Sequence, residues 1–192
     1  MTTTTSNPQE QQQPTLHLHT YFRSSCSARL RIALRLKHLP FTATPVHLLR
    51  GEQTSPIYTS LNPSGTVPTL THNDDDKKVT ITQSVPALEY LDEAFPHTRP
   101  LYPADPALRA AVRTLVSVVA CDVQPLTNAK TMKAVNALEG GDGAAWSREW
   151  TTRGLDAFER MLGKVQGEED EATVCVPEVG VSAADVCLVP AV

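Results

Sequence analysis

The stretch Ser24-Ser25-Cys26-Ser27-Ala28-Arg29-Leu30-Arg31-Ile32-Ala33-Leu34 places three hydroxyl groups and a thiol directly before a run of good helix formers. Upstream, Leu16 to Tyr21 alternates apolar and polar residues, which predicts a half-buried strand. The serine and cysteine side chains therefore lie in a predicted strand-to-helix turn. The free backbone N–H groups and the helix dipole at such a turn stabilise negative charge by about 0.3 to 1 kcal/mol. A thiolate is one anion that this turn can hold.

The same residues allow a plainer interpretation, in which a serine only caps the helix and Cys26 is buried. The helix also competes with a strand, because apolar residues alternate with arginines and lysines between residues 30 and 37. A helix is favoured because Ala, Leu, Arg and Lys are good helix formers and Leu39-Pro40 supplies a stop. From the residues alone, both roles of the serine and cysteine cluster stay open.

Composition narrows the class of protein. The chain has 192 residues, of which 41% are hydrophobic, enough to build a core of one large or two small domains. Its formal net charge of -4 gives no electrostatic reason to expect nucleic acid or an anionic membrane as a partner. The apolar runs are too short for a membrane span, and the polar N-terminus lacks the apolar core of a secretory signal. We therefore expect a cytoplasmic protein.

The four cysteines, at positions 26, 121, 175 and 187, are widely separated and form no CxxC pair. Neither a zinc site nor a disulfide scaffold is indicated, so we expect no bound metal and mostly buried, reduced thiols.

The order of predicted elements suggests two domains. Residues 1–14 are polar and are predicted to form a disordered tail. Strand, helix and strand are followed by a hairpin and a helix from Ser84 to about Phe95, and Pro45 argues for an edge position of the second strand, predicted at 41–49. Proline residues between positions 96 and 103 mark a linker, after which the sequence is helical. Two helix starts stand out there, Asp105-Pro106 and the capping box Ser182-x-x-Asp185.

A longer run, Tyr21-Phe22-Arg23-Ser24-Ser25-Cys26-Ser27-x-Arg29-x-Arg31-Ile32-Ala33-Leu34, resembles the signature of zeta-class glutathione transferases, the family that includes maleylacetoacetate isomerase. The resemblance continues to the end of the chain in Leu61-Asn62-Pro63-x-x-x-Val67-Pro68-Thr69-Leu70, Thr82-Gln83-Ser84-x-x-x-Leu88-Glu89-Tyr90-Leu91, Gln124-Pro125-Leu126-x-Asn128 and Ala184-Asp185-Val186-Cys187-Leu188-Val189-Pro190. It implies an α/β plus all-α fold, with a thioredoxin-like glutathione-binding domain at 15–96 and a helical glutathione-transferase C-terminal domain at 104–192. In the family further helical segments follow, so we expect this domain to be truncated.

The resemblance implies glutathione as cofactor and assigns roles to ten residues. Ser24, with Ser25 and Cys26 beside it, would stabilise the glutathione thiolate. The residues expected to bind the rest of glutathione are Gln53, a backbone edge at Val67 before a cis Pro68, and Gln83 with Ser84 at the γ-glutamyl carboxylate. Gln124 and Asn128, four residues apart on one predicted helical face, would line the substrate side.

The implied reaction is the cis–trans isomerisation of maleylacetoacetate, a small acidic diketo substrate, to fumarylacetoacetate in tyrosine and phenylalanine catabolism, by a homodimer. A general glutathione transferase or an α-haloacid dehalogenase would use the same thiolate. A monothiol reductase would instead depend on Cys26 as the nucleophile, because a cysteine at a helix N-terminus can react as a thiolate. A non-catalytic glutathione-transferase-like module is the fourth alternative, since the expected truncation removes part of the second domain.

Overall fold

A computed structural model of the chain describes residues 15–74, 77–166 and 173–192. The predicted tail at 1–14 lies outside these residues, as do parts of the predicted hairpin tip and of the acidic segment near residue 170. No helix in the described ranges is long and apolar enough to cross a membrane.

Four strands form one sheet in the order β2-β1-β3-β4. Their bounds are β1 Leu16–Thr20, β2 Phe41–Pro45, β3 Thr69–Asp74 and β4 Lys77–Thr82. β1 pairs in parallel with β2, whereas the β1–β3 and β3–β4 pairs are antiparallel. The predicted order of strands and helices along this half of the chain and the edge position of β2 are confirmed. The predicted end of β2 at residue 49 was wrong, because Leu48–Arg50 forms a 3₁₀ turn instead of extending the strand. The third strand begins only after Pro68, which has no N–H for a strand ladder.

The helices of the N-terminal half are α1 Ser25–Leu36, α2 Pro56–Leu61 and α3 Ser84–Ala94. The cluster at residues 24–34 therefore opens a helix, and the strand alternative is excluded. Leu16 and Leu18 of β1 are buried in one core with Leu30 and Leu34 of α1, as their alternation with the two strand histidines predicts. The α1 helix packs against α3 and against the C-terminal helix Ala183–Leu188.

After the linker the described chain is helical. The helices are α4 Pro106–Ser117, α5 Gln124–Thr127, α6 Ala129–Asn136, α7 Gly143–Gln166 and α8 Ala183–Leu188. A π-helical turn, Val118–Val123, joins α4 to α5. Both predicted caps are confirmed: Asp105 Oδ1 accepts the N–H of Leu108 at 2.8 Å, and Ser182 and Asp185 form a reciprocal capping box. Sheet and helices thus form the thioredoxin-like half and the helical half that the family resemblance implied.

One carboxylate ties the linker to the N-terminal half. Asp92 of α3 accepts a hydrogen bond from the buried Lys37 Nζ at 2.7 Å and from the backbone N–H groups of Leu101 and Tyr102. Leu101 in turn accepts the N–H of Ala183, at the start of α8, at 2.8 Å. One buried cluster runs through both halves of the chain. The division at residues 96 and 104 stays a prediction.

Candidate functional site

Three connections of the N-terminal half meet at one end of the sheet. In the strand register, His19 of β1 lies opposite Thr69 of β3, and Thr69 lies opposite Thr82 of β4. The turn after β1, the connection into β3 and the turn after β4 therefore share this end. We call the residues placed there the sheet-end site: Ser24, Ser25, Cys26, Val67, Pro68, Gln83 and Ser84.

Ser24 is the N-cap of α1. Its backbone is extended, and its Oγ accepts a hydrogen bond from the N–H of Ser27 at 3.1 Å. A hydroxyl group can accept and donate at the same time, so the Ser24 proton remains available to another acceptor. Helix capping and hydrogen-bond donation, which the sequence left as alternatives, are thus compatible in one side chain.

Ser25 and Cys26 are the first two residues of α1, and both are half-buried. The first N–H groups of a helix have no acceptor within the helix, and they carry the positive end of its dipole. Within the described range 15–74, the first turn of α1 contains no acidic residue that would offset this charge. The turn can therefore stabilise an external thiolate beside the Ser24 hydroxyl.

Arg31 fixes the backbone in front of this turn. Its Nη1 donates to Thr20 Oγ1 at 2.8 Å and to the carbonyl oxygen of Tyr21 at 3.1 Å, and its Nη2 donates to the carbonyl oxygen of Phe22 at 3.2 Å. Burial, and secondarily the neighbouring charge of Arg35, lower the pKa of Arg31. The side chain thus holds the end of β1 at a set distance from α1.

The Val67–Pro68 peptide bond is cis, as the resemblance implied. Val67 lies outside β3, and its backbone groups form no hydrogen bond with any residue in the described part of the chain. The turn before Val67 is held by two hydrogen bonds, because Asn62 Nδ2 and the Tyr58 hydroxyl both donate to the carbonyl oxygen of Thr66, at 2.8 and 2.7 Å. A free backbone edge at Val67 suits an extended peptide ligand.

Gln53 lies in the 3₁₀ turn Glu52–Thr54 and is half-buried. Its side-chain Oε1 has no hydrogen-bond partner among the described residues. Gly65 adopts φ +59, and a Cβ there would lie 3.2 Å from the Gln53 carbonyl oxygen. The close approach of these two segments brings Gln53 next to the turn that leads into Val67.

Gln83 and Ser84 open α3. Gln83 occupies the cap position with φ +74 and makes no side-chain cap hydrogen bond, and Ser84 is the first helical residue. Ser84 is buried, and its Oγ accepts a hydrogen bond from Nη1 of Arg29 at 3.1 Å. The helix start therefore combines free N–H groups, a hydroxyl and an arginine, which together suit a carboxylate.

Gln124 and Asn128 do not share a helical face, so that expectation was wrong. The backbone of Asn128 is extended, with ψ 161, and ends α5 after one turn. Its side chain is occupied locally, because its Oδ1 accepts the N–H of Thr131 at 3.0 Å and its Nδ2 donates to the carbonyl oxygen of Pro125 at 3.0 Å. Gln124 is half-buried at the start of α5 and stays a candidate for the substrate side.

The cysteines differ in environment more than the sequence suggested. Cys175 and Cys187 are buried, Cys26 is half-buried and Cys121 is exposed, so the expectation of mostly buried thiols was correct for only part of the set. Burial raises the pKa of Cys175 to about 12 and that of Cys187 to about 11. Both therefore remain neutral thiols at physiological pH and are unsuited to nucleophilic chemistry.

Two residues near the sheet-end site escaped the sequence analysis, Arg29 and Arg31. The signal in the sequence that could have revealed them is their spacing of two positions within a predicted helix. Side chains two apart on a helix point in different directions, so each must meet a different surface. Which surfaces these are follows only from the packing of α1.

Comparisons with known proteins agree with this geometry. The sequence profile of the family "Glutathione S-transferase, N-terminal domain" matches residues 23–94. The maleylacetoacetate isomerase of Aspergillus fumigatus is 51% identical over 185 residues, which are 93% of this chain and 76% of that protein.

Two solved structures resemble the fold. The maleylacetoacetate isomerase of Anaeromyxobacter dehalogenans with glutathione bound in its active site has a TM-score of 0.80 and 32% identity, covering 92% of this chain and 79% of that one. A bacterial zeta-class maleylpyruvate isomerase has a TM-score of 0.79 and 31% identity, covering 91% of this chain and 80% of that one.

Proposed function

The chain belongs to the maleylacetoacetate isomerase family of zeta-class glutathione transferases, and from this membership and the sheet-end site we propose that it isomerises maleylacetoacetate to fumarylacetoacetate with glutathione as cofactor. The observation that carries the proposal is the cap geometry of Ser24. Its oxygen is engaged by the N–H of Ser27, so its proton is free for a thiolate beside the positive end of α1.

When bound, glutathione would supply a thiolate for reversible addition to the cis double bond, which would allow rotation about that bond before the thiolate is eliminated. The chain's own task is to stabilise negative charge, first on sulfur and then on the substrate oxygens. Ser24 donates to the sulfur, and Ser25 and Cys26 add the free N–H groups of the first turn. This chemistry needs no metal ion and no strong base.

The rest of glutathione is held by backbone and polar groups. The free backbone edge of Val67 before Pro68 would pair with the cysteinyl amide, and Gln83 and Ser84, where α3 begins, would bind the γ-glutamyl carboxylate. Gln53, which lies beside the turn that leads into Val67, would reach the glycyl end, where its amide Nε2 can donate to the carboxylate. These contacts place the thiol toward Ser24.

The small acidic diketo substrate lies on the side of α5, next to Gln124. Asn128 supports this side by capping α6 rather than by pointing at substrate. We propose that the enzyme works as a cytoplasmic homodimer in tyrosine and phenylalanine catabolism, with the thioredoxin-like domain at 15–96 and the helical domain at 104–192. The names of the relatives support the reaction.

The test is the glutathione-dependent isomerisation of maleylacetone, a soluble analogue of the substrate, by wild type, Ser24→Ala and Cys26→Ser. Loss of the Ser24 donor removes a charge-assisted hydrogen bond worth about 1.5 to 3 kcal/mol, so we expect a fall of about 10-fold to 100-fold in kcat/KM. Cys26→Ser keeps a small polar group in the first turn and should lower the rate less.

The same variants separate the alternatives. An inactive Cys26→Ser beside a fully active Ser24→Ala would reverse the two roles and favour monothiol reductase chemistry. Dehalogenation of a chlorinated acid without isomerisation of maleylacetone would favour the dehalogenase. Failure of wild type to bind glutathione would leave a non-catalytic module.

A further inference from the structure

Arg29 is one of the most buried side chains of the described chain, with 1% of its surface exposed. It projects from α1 toward the start of α3, where its Nη1 donates to Ser84 Oγ at 3.1 Å across 55 residues of sequence. It also lies close enough to the thiol of Cys187, in α8, to oppose electrostatically the rise of that cysteine's pKa. The guanidinium is thus enclosed by three helices.

This buried charge has no counter-ion in residues 15–74, 77–166 and 173–192. The ion pairs found there involve Lys37, Arg113 and Arg153, but not Arg29. Its Nε and Nη2 atoms also have no hydrogen-bond partner among these residues. A buried cation without a partner is costly, by several kcal/mol per ion. An anion bound at the start of α3, beside Ser84, would offset part of that cost.

The contact with Arg29 also decides what the Ser84 hydroxyl can do. An arginine has only donors, so the Ser84 oxygen must be the acceptor in this bond. The hydroxyl proton is then directed away from Arg29, toward whatever acceptor lies in front of α3. Pro86, in the first turn of α3, contributes no N–H. The Ser84 hydroxyl is therefore one of few hydrogen-bond donors at the start of this helix.

We propose that Arg29 is a positioning residue for the γ-glutamyl carboxylate of glutathione: it holds the Ser84 hydroxyl with its proton turned toward that carboxylate and adds a buried positive charge behind it. The inference rests on the proposed glutathione function. It concerns ligand recognition rather than the reacting sulfur, so Arg29 acts on binding and leaves the chemical step at Ser24 untouched.

The experiment compares two ligands by calorimetric titration. Glutathione carries the α-carboxylate, whereas 4-aminobutyryl-cysteinylglycine has hydrogen in its place and is otherwise the same. We expect wild type to prefer glutathione by about 10-fold to 100-fold, the range of a charge-assisted hydrogen bond. Arg29→Met should weaken glutathione binding by a similar factor and leave the affinity for the analogue unchanged. The kcat of maleylacetone isomerisation at saturating glutathione should stay at the wild-type value.

Arg35→Met is the matched control, because Arg35 lies on the same helix but is exposed, and this variant should keep the wild-type preference. An equal loss of affinity for both ligands in Arg29→Met, or a preference as large as in wild type, would overturn the inference. If circular dichroism shows that Arg29→Met is unfolded, Arg29→Gln takes its place, since its amide can still donate to Ser84 but carries no charge.

Wild type itself provides a test that needs no variant. If it binds glutathione and the analogue equally well, no carboxylate is recognised at Ser84 and the inference is wrong, although the isomerase proposal stands. If wild type binds neither ligand and does not isomerise maleylacetone, the proposed function itself fails.

Discussion

At the scale of the residue, three arginines of α1 show how one side-chain type takes different roles. Arg35 is exposed, Arg31 holds the backbone at the end of β1, and Arg29 is buried against Ser84. The differences follow from their angular positions on a helix that is covered on two sides. Substitutions at these positions should therefore differ in effect, although the residues look alike in sequence.

His19 makes the stability of the fold depend on pH. Burial lowers its pKa, and the nearby charges of His17 and Lys78 act in the same direction. The Nδ1 atom of His19 is buried without a hydrogen-bond partner among the described residues, and the ring packs edge-on against Tyr58. The folded chain therefore takes up this proton less readily than the unfolded chain, whose histidine titrates near its ordinary pKa of about 6.5.

The stability contributed by neutral His19 is thus complete above that value, and it is lost as the pH falls below it and through the lower pKa of the folded chain. We expect the urea midpoint to drop between pH 7.5 and 5.5, and His19→Gln to make this drop smaller. His97→Gln, at an exposed histidine, should leave it unchanged. Identical pH dependence of wild type and His19→Gln would contradict the assignment.

At the scale of the element, the π-helical turn Val118–Val123 joins α4 to α5 and packs against α7. Pro125 lacks an N–H, and the helix that begins with α4 is interrupted shortly before it. Single π-helical turns often accompany functional sites. Here the turn presents Val123 to α7 at Gly154, where a Cβ atom would overlap the Val123 side chain. Glycine at 154 is therefore required by close packing.

Gly154→Ala should destabilise the protein by about 1 to 3 kcal/mol, because it overpacks this contact. Gly163→Ala is a control on the same helix, since a Cβ there meets no atom within 4 Å. It should be neutral or stabilising by about 0.4 to 1 kcal/mol. Adding Val123→Ala to Gly154→Ala should recover part of the loss in urea unfolding. No recovery in the double variant would exclude steric overlap as the cause.

At the scale of the whole molecule, the Lys37–Asp92 pair joins α1, α3 and the linker. The Lys37 side chain is 1% exposed and that of Asp92 is 14% exposed. Removing Asp92 would leave the buried ammonium group without a counter-ion, bonded only to the carbonyl oxygen of Arg99 among the described residues. It would also leave the N–H groups of Leu101 and Tyr102 without their acceptor. Breaking one partner of such a pair typically costs about 3 to 5 kcal/mol.

We therefore expect Asp92→Ala to lower the free energy of unfolding by about 3 to 5 kcal/mol. The more exposed pair of Arg113 with Glu89, which joins α4 to α3, provides the control. Arg113→Met should cost about 0 to 1 kcal/mol. The measurement is urea denaturation of both variants, and similar losses in the two would show that the Asp92 contacts do not hold the linker against α1 and α3.

Local patterns in the sequence determined the strand and helix order, the edge position of β2 and the caps of α1, α4 and α8. They sufficed because periodicity, capping and proline effects act between residues a few positions apart. The family resemblance added the cis bond at Pro68 and the fold of both halves.

Only the tertiary structure decided which groups meet. The contact of Arg29 with Ser84 joins residues 55 positions apart, and Lys37 with Asp92 does the same. The role of Asn128 as the N-cap of α6 depends on the end of α5 at this residue, which a spacing of four residues from Gln124 cannot reveal. The physical reason is that a side chain's burial and partner depend on the element packed against it, and that packing is a property of the whole fold.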